Sequence, residues 1–185
     1  MKSNYKLPQV IAEIGCNHKG EIEIAKELLK VAAYSGVEVA KFQKRNNKEL
    51  LTKEQYNAPH PNPINPYGDT YGAHREFLEF DINQHKELKE YAEGLELIYS
   101  TSVWDTTSAK EIISLNPVLI KVPSACNNHF DMLKVLRDEY KGEVHISFGM
   151  TTKDEEEKIV SFFEEEGQAK RVVVYSCTSG YPVPF

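Results

Sequence analysis

Short apolar runs alternate with helical stripes along this chain, and that alternation limits its fold more than any other feature. Gln9–Ile14, Val37–Phe42, Leu95–Ser100, Val118–Val122, Glu143–Phe148 and Arg171–Ser176 read as strands. Between the first two lies Glu21–Tyr34, where Ile24, Ala25, Leu28, Leu29 and Ala32 form one helical stripe and Gly36 marks the end. Asn83–Glu93, Thr106–Leu115, Phe130–Tyr140 and the acidic Asp154–Glu166 continue the pattern, with Asp105 or Thr106, and Thr151 or Thr152, as N-caps. Strand, helix, strand in this order requires parallel pairing through right-handed crossovers. The strands are apolar runs rather than clean alternations, as expected for a sheet covered on both faces. The fold expected is α/β, a (β/α)8 TIM barrel. A doubly wound open sheet is disfavoured because the first turn, Gly15-Cys16-Asn17-His18-Lys19-Gly20, is not a dinucleotide fingerprint.

The strand ends carry the polar chemistry. Glu13, Lys41 and Gln43, Ser100 and Thr101, Lys121 and Ser124, Ser147, and then Cys177-Thr178-Ser179 follow one another at successive ends. In a barrel those ends meet at one catalytic mouth. Lys41 and Gln43 are two apart and share a strand face, so Phe42 faces the helices. Lys121 repeats the arrangement. A lysine on the inner face is costly without an anion or a carboxylate partner. Lys41 and Lys121, with Ser124, Ser147 and Thr178, therefore outline a pocket for a small, strongly anionic substrate bearing phosphate or carboxylate. A structural ion pair with Glu13 is the competing account. Glu13 is the one carboxylate at a strand end, and it is either an acid/base group or a lysine's partner. A Schiff-base aldolase needs a single desolvated lysine, so two lysines fit anion binding better. Trp104 walls the pocket or packs.

No metal motif stands out among the six histidines. His18, His60 and His74 fall in loops, His85 on a helix face, and His129 at the start of the fourth helix. His145 shares a face with Ser147 but lies deeper. Arg45–Arg75, rich in Pro, Asn, His and Tyr, reads as a long loop after the second strand, a lid or wall of the site. About six strands and five helices appear where a barrel has eight of each. Residues 1–185 are therefore expected to form a partial TIM-barrel catalytic domain, truncated after about the sixth strand, with two open sheet edges.

A formal net charge of -6 argues against a nucleic-acid partner. No apolar run is long enough for a bilayer, and the N-terminus lacks the apolar stretch of a signal peptide. Cys16, Cys126 and Cys177, odd in number and widely spaced, read as reduced thiols buried as small hydrophobes in a cytoplasmic protein.

Taken in order, Ala12-Glu13-Ile14-Gly15-Cys16-Asn17-His18-Lys19-Gly20, Lys41-Phe42-Gln43, Ser100-Thr101-Ser102, Ile120-Lys121-Val122-Pro123-Ser124, Ser147-Phe148-Gly149-Met150 and Cys177-Thr178-Ser179-Gly180-Tyr181-Pro182 resemble the N-acetylneuraminate (sialic acid) synthase family over nearly the whole chain. The resemblance implies a transferase that condenses phosphoenolpyruvate with an N-acetylated hexosamine, typically N-acetylmannosamine, and water. The products are N-acetylneuraminate and phosphate. Legionaminic and pseudaminic acid synthases share these motifs, and a non-catalytic anion- or partner-binding fragment is the reading from another class. By motif, Lys41, Thr101, Lys121, Ser124, Ser147 and Ser179 would hold phosphoenolpyruvate. Glu13 would be the catalytic carboxylate, and Gln43 and Tyr181 would face the sugar. The family also implies manganese or magnesium, held by histidines expected beyond residue 185 and by no residue of this chain. It further implies a homodimer at full length and a C-terminal antifreeze-like domain, expected to be absent here. Two departures stand out. Ala125 and Cys126 follow Ser124 where many members carry Gly and an acid, and Ser179 stands where some carry Asn.

Overall fold

The computed structural model describes residues 7–62, 64, 66–180 and 183. Six strands, β1 Ile11–Gly15, β2 Val39–Lys44, β3 Ile98–Val103, β4 Leu119–Val122, β5 Glu143–Phe148 and β6 Val172–Ser176, form one sheet. Their spatial order is their chain order, and every neighbouring pair is parallel. This is the progression of a (β/α) barrel, in which each crossover helix returns the chain to the next position on the outside. β1 and β6 are the two edges of the sheet among the described residues.

The helices behind the sheet follow from stripes and caps. α1 (Ile22–Tyr34) buries Ala25, Leu29 and Ala32 and ends where Gly36 takes φ +73°, a left-handed conformation that costs glycine little. α5 (Ile82–Gly94) starts at an Asp81–Gln84 capping box. α6 (Thr106–Ser114) is capped by Asp105, α7 is Phe130–Asp138, and α8 (Lys153–Glu164) is capped by Thr152 with Glu155 closing the box. Two apolar clusters lie between helices and sheet. One gathers Phe42, Leu29, Leu88 and Tyr99 behind β1–β3; the other gathers Ile120, Ile146, Leu133 and Phe163 behind β3–β5. Among the described residues no helix is long and apolar enough to cross a membrane.

The expected loop at Arg45–Arg75 is instead three short helices, α2 (Asn47–Leu50), α3 (Lys53–Asn57) and α4 (Tyr71–Phe77). Each has a local start signal: Asn46, a Thr52–Gln55 capping box, and Thr70. The segment packs on itself, with Tyr67 stacked on Phe77 at 4.8 Å and His60 against His74 at 4.1 Å. Helices of four to seven residues show too few turns for an apolar stripe, so composition alone suggested a loop. His74 accordingly lies on α4 rather than in a loop.

Candidate active site

The inner face of the strands is polar where the outer face is apolar. Register places Lys41 opposite both Glu13 and Ser100, Gln43 opposite Ser102, Ser102 opposite Lys121, Lys121 opposite His145, and Ser147 opposite Tyr175. Of these, Glu13, Lys41, Gln43, Ser102, Lys121 and Ser147 line a cavity of about 720 Å³, bounded further by Arg45, Trp104, Ser124, Met150 and the Cys177–Gly180 segment.

Two lysines dominate it. The Lys41 ammonium is paired with the Glu13 carboxylate and lies 3.4 Å from Ser102 Oγ. Its side chain is 11% exposed while that of Glu13 is 51% exposed. Burial brings the Lys41 pKa down to about 8. Lys121 is 7% exposed and donates at 2.6 Å to both Ser147 Oγ and the Val122 carbonyl. Its ammonium also sits 5.1 Å from the centre of the Tyr175 ring. Burial first, and then the charge of Lys41, lower its pKa to about 8. No described carboxylate pairs with it. The cavity floor therefore holds a cation whose partners are neutral, an arrangement that an entering anion relieves.

Hydroxyls surround this cation. Ser124 Oγ accepts from the Gly149 N–H at 3.1 Å, Cys177 Sγ lies 3.3 Å from Ser147 Oγ, and the Asn127 amide holds the Ser147 carbonyl at 2.7 Å. His145 sits one layer deeper, between Tyr175 Oη at 2.8 Å and Glu143 at 3.0 Å. No three described His, Cys, Asp or Glu side chains gather into a cation cage. The described residues alone do not fit a resident metal.

The model of the NeuB family matches residues 28–185. The chain belongs to the NeuB family. The mouse (Mus musculus) N-acetylneuraminate-9-phosphate synthase is 31% identical over 94% of this chain and 47% of its own length. The Campylobacter jejuni N,N'-diacetyllegionaminic acid synthase is 28% identical over 95% of this chain and 53% of its own. The chain thus spans about half the length of the curated relatives it matches. A sialic acid synthetase from Leptospira borgpetersenii serovar Hardjo-bovis, crystallised with citrate, superposes over the whole chain and 60% of its own. The TM-score is 0.78 at 22% identity, a likeness of fold.

Of the NeuB-type residues named from sequence, Glu13, Lys41, Gln43, Lys121, Ser124, Ser147 and Ser179 line the one cavity. Thr178 joins them and Trp104 walls the cavity. Tyr181 lies outside the described residues. Thr101 does not reach the site. It is fully buried on the helix side of β3, with Oγ1 3.2 Å from the Tyr99 hydroxyl. β3 runs to Val103 rather than stopping at Ser100, and alternation gives the inner face to Ser100 and Ser102. Ser102 takes the place expected of Thr101. The segment expected as a lid supplies only its first residue, Arg45, to the described lining. Arg45 was legible by parity, since it falls on the face of Lys41 and Gln43 four and two residues on. Cys177 is exposed at the mouth rather than buried. Cys126 is partly buried, and desolvation pushes its thiol up to about 12.

Proposed function

We propose that this cavity is the phosphoenolpyruvate-binding half of a sialic acid synthase-type site, and that the second substrate is an N-acetylated hexosamine, N-acetylmannosamine in the first instance. The observation that carries the reading is Lys121, buried, charged below about pH 8 and without a counter-ion among the described residues, at the floor of a cavity sized for small metabolites. Lys121 and Lys41 would neutralise the carboxylate and phosphate, with Ser124, Ser147 and Ser179 supplying oriented hydroxyls. In the reaction, the methylene carbon of phosphoenolpyruvate bonds to the aldehyde carbon of the open-chain sugar, whose oxygen takes up a proton. Water adds at the carbon bearing the phosphate, and the C–O bond breaks to release inorganic phosphate. Glu13, the one carboxylate in the described lining, would hold or move the proton at the aldehyde oxygen once the anion has taken over Lys41. The same reading carries with it a divalent cation, manganese or magnesium, a homodimer and a cytoplasmic location.

A second reading has its own support. Ala125 and Met150 put apolar side chains on the cavity wall, where a hydroxyl-rich sugar gains nothing and a deoxy diacetamido sugar is favoured. That points to legionaminic- or pseudaminic-type substrates.

Isothermal titration of this chain with phosphoenolpyruvate tests the anion pocket. Lys121→Ala is expected to weaken binding by about 30-fold or more, as for loss of a charge-assisted contact. An unchanged affinity places the pocket elsewhere. Phosphate release by the full-length protein, measured with N-acetylmannosamine, its 6-phosphate and diacetamido sugars, decides between the two sugars. Release with arabinose 5-phosphate or erythrose 4-phosphate instead contradicts both.

A further inference from the structure

Arg45 is the charged cavity residue that the anion pocket does not explain. It is 7% exposed, and three neighbouring segments converge on its guanidinium. Nη1 meets Glu79 Oε1 at 3.1 Å and Cys16 Sγ at 3.5 Å, and the plane lies 4.3 Å over the Trp104 ring. The Arg45 backbone N–H donates to the other Glu79 oxygen at 2.9 Å. Glu79 is itself largely buried and balances the charge, so Arg45 is not a spare cation for substrate. Its second terminal nitrogen, Nη2, donates to Gln43 Oε1.

That last contact has a chemical consequence. A guanidinium carries donors only, so a carboxamide beside it must turn its oxygen inward and its NH2 group away. The Gln43 NH2 group then lies beside Glu13 over Gly15. A Cβ on Gly15 would come within 3.2 Å of Gln43 Nε2 and 3.3 Å of Glu13 Oε1. We propose that Arg45, held by Glu79 and Trp104, is a positioning residue that fixes Gln43 as a hydrogen-bond donor into the cavity, so that the site takes a substrate oxygen at this point. The oxygen is a carbonyl or hydroxyl of the sugar. The proposal rests on the reading of this cavity as the sugar–phosphoenolpyruvate site.

The test is side-chain amide NMR on the 15N-labelled chain, with the Gln43 pair assigned by its loss in Gln43→Glu. In the unliganded protein, Arg45→Met is expected to speed water exchange of that pair by about tenfold or more, as for loss of a buried hydrogen bond. Arg45→Lys, which keeps one donor, should restore part of the protection. Glu79→Gln, which frees Arg45 with almost no change of shape, should fall between. Unchanged exchange in both Arg45→Met and Glu79→Gln overturns the lock. With phosphoenolpyruvate saturating, N-acetylmannosamine should shift the Gln43 amide of the wild-type chain. Arg45→Met should weaken the sugar by about tenfold and phosphoenolpyruvate by less than about threefold. Equal losses for both ligands, or a Gln43 amide indifferent to the sugar, overturn the positioning role. If the wild-type chain binds no phosphoenolpyruvate, the functional reading fails, while the exchange contrast still decides the lock.

Discussion

The two faces of the same strands obey opposite rules. On β2, Phe42 points outward into a dry cluster with Tyr99 and Leu88, and its burial is complete. Its neighbours Lys41 and Gln43 point inward to charges and hydroxyls around an open cavity. On β4, Ile120 and Val122 repeat the outer pattern and Lys121 the inner one. The outer face gains stability from area removed from water. The inner face holds ammonium groups against desolvation, so stability is given up there.

The largest expected effects come from crossing that boundary. Phe42→Ala should destabilise the chain by about 3–5 kcal/mol, read as a fall in urea midpoint at constant slope. Lys121→Met, of similar length on the opposite face, should leave the urea midpoint level or raise it, since a buried charge without a carboxylate partner is replaced by packing. The same variant should lose phosphoenolpyruvate binding. If Lys121→Met unfolds the chain as readily as Phe42→Ala, the two faces are not distinct in kind.

The outer face was legible in the sequence because apolar content, caps and period follow local rules. The Glu143–Phe148 strand, the Asp105 cap and the Gly36 stop appear where the residues demand them. The inner face was legible where parity was anchored, as at Lys41–Gln43. At β3 the phase is not legible, because Tyr-Ser-Thr-Ser carries a hydroxyl on both sides of the strand. The motif predicts Thr101 at the cavity, yet Tyr99 gives it a buried partner behind the sheet. Arg45 shares the parity of Lys41 and Gln43, but the segment that starts with it reads as loop by composition, because its short helices carry no readable stripe.

A pH series sharpens the contrast next. Burial lowers Lys121 to about 8 against 10.5 for a free lysine, and Lys41 likewise. Between those values the unfolded chain binds more protons than the folded one, so the sign of the linkage is a rise of stability with pH. Wild type should gain about 2 kcal/mol relative to Lys121→Met between pH 8 and 10. Phosphoenolpyruvate affinity should move the other way, falling as pH rises through about 8 and the ammonium groups discharge. Affinity that holds steady to pH 10 removes the lysines from the anion site.

Gly15 sits where the faces meet, at the irregular end of β1 with φ +55°. Gly15→Ala combines left-handed strain with crowding of Glu13 and Gln43, and should cost about 1–2 kcal/mol of stability. It should also disturb the Gln43 amide signal, because the new methyl lies against Nε2. A normal amide with lowered stability would mean that only the backbone needs the glycine.

The smallest effect separates motif from geometry. Thr101→Val keeps the shape of a fully buried side chain and removes its contact with the Tyr99 hydroxyl, which His85 Nδ1 also meets at 2.6 Å. The loss should be about 1 kcal/mol, since Tyr99 keeps one partner. Phosphoenolpyruvate affinity should not change, because Thr101 faces the helices. The matching change on the inner face, Ser102→Ala, removes a hydroxyl 3.4 Å from the Lys41 ammonium and should alter anion affinity with little effect on stability. If Thr101→Val weakens the anion and Ser102→Ala does not, the phase of β3 is reversed, and the cavity wall must be redrawn one residue earlier.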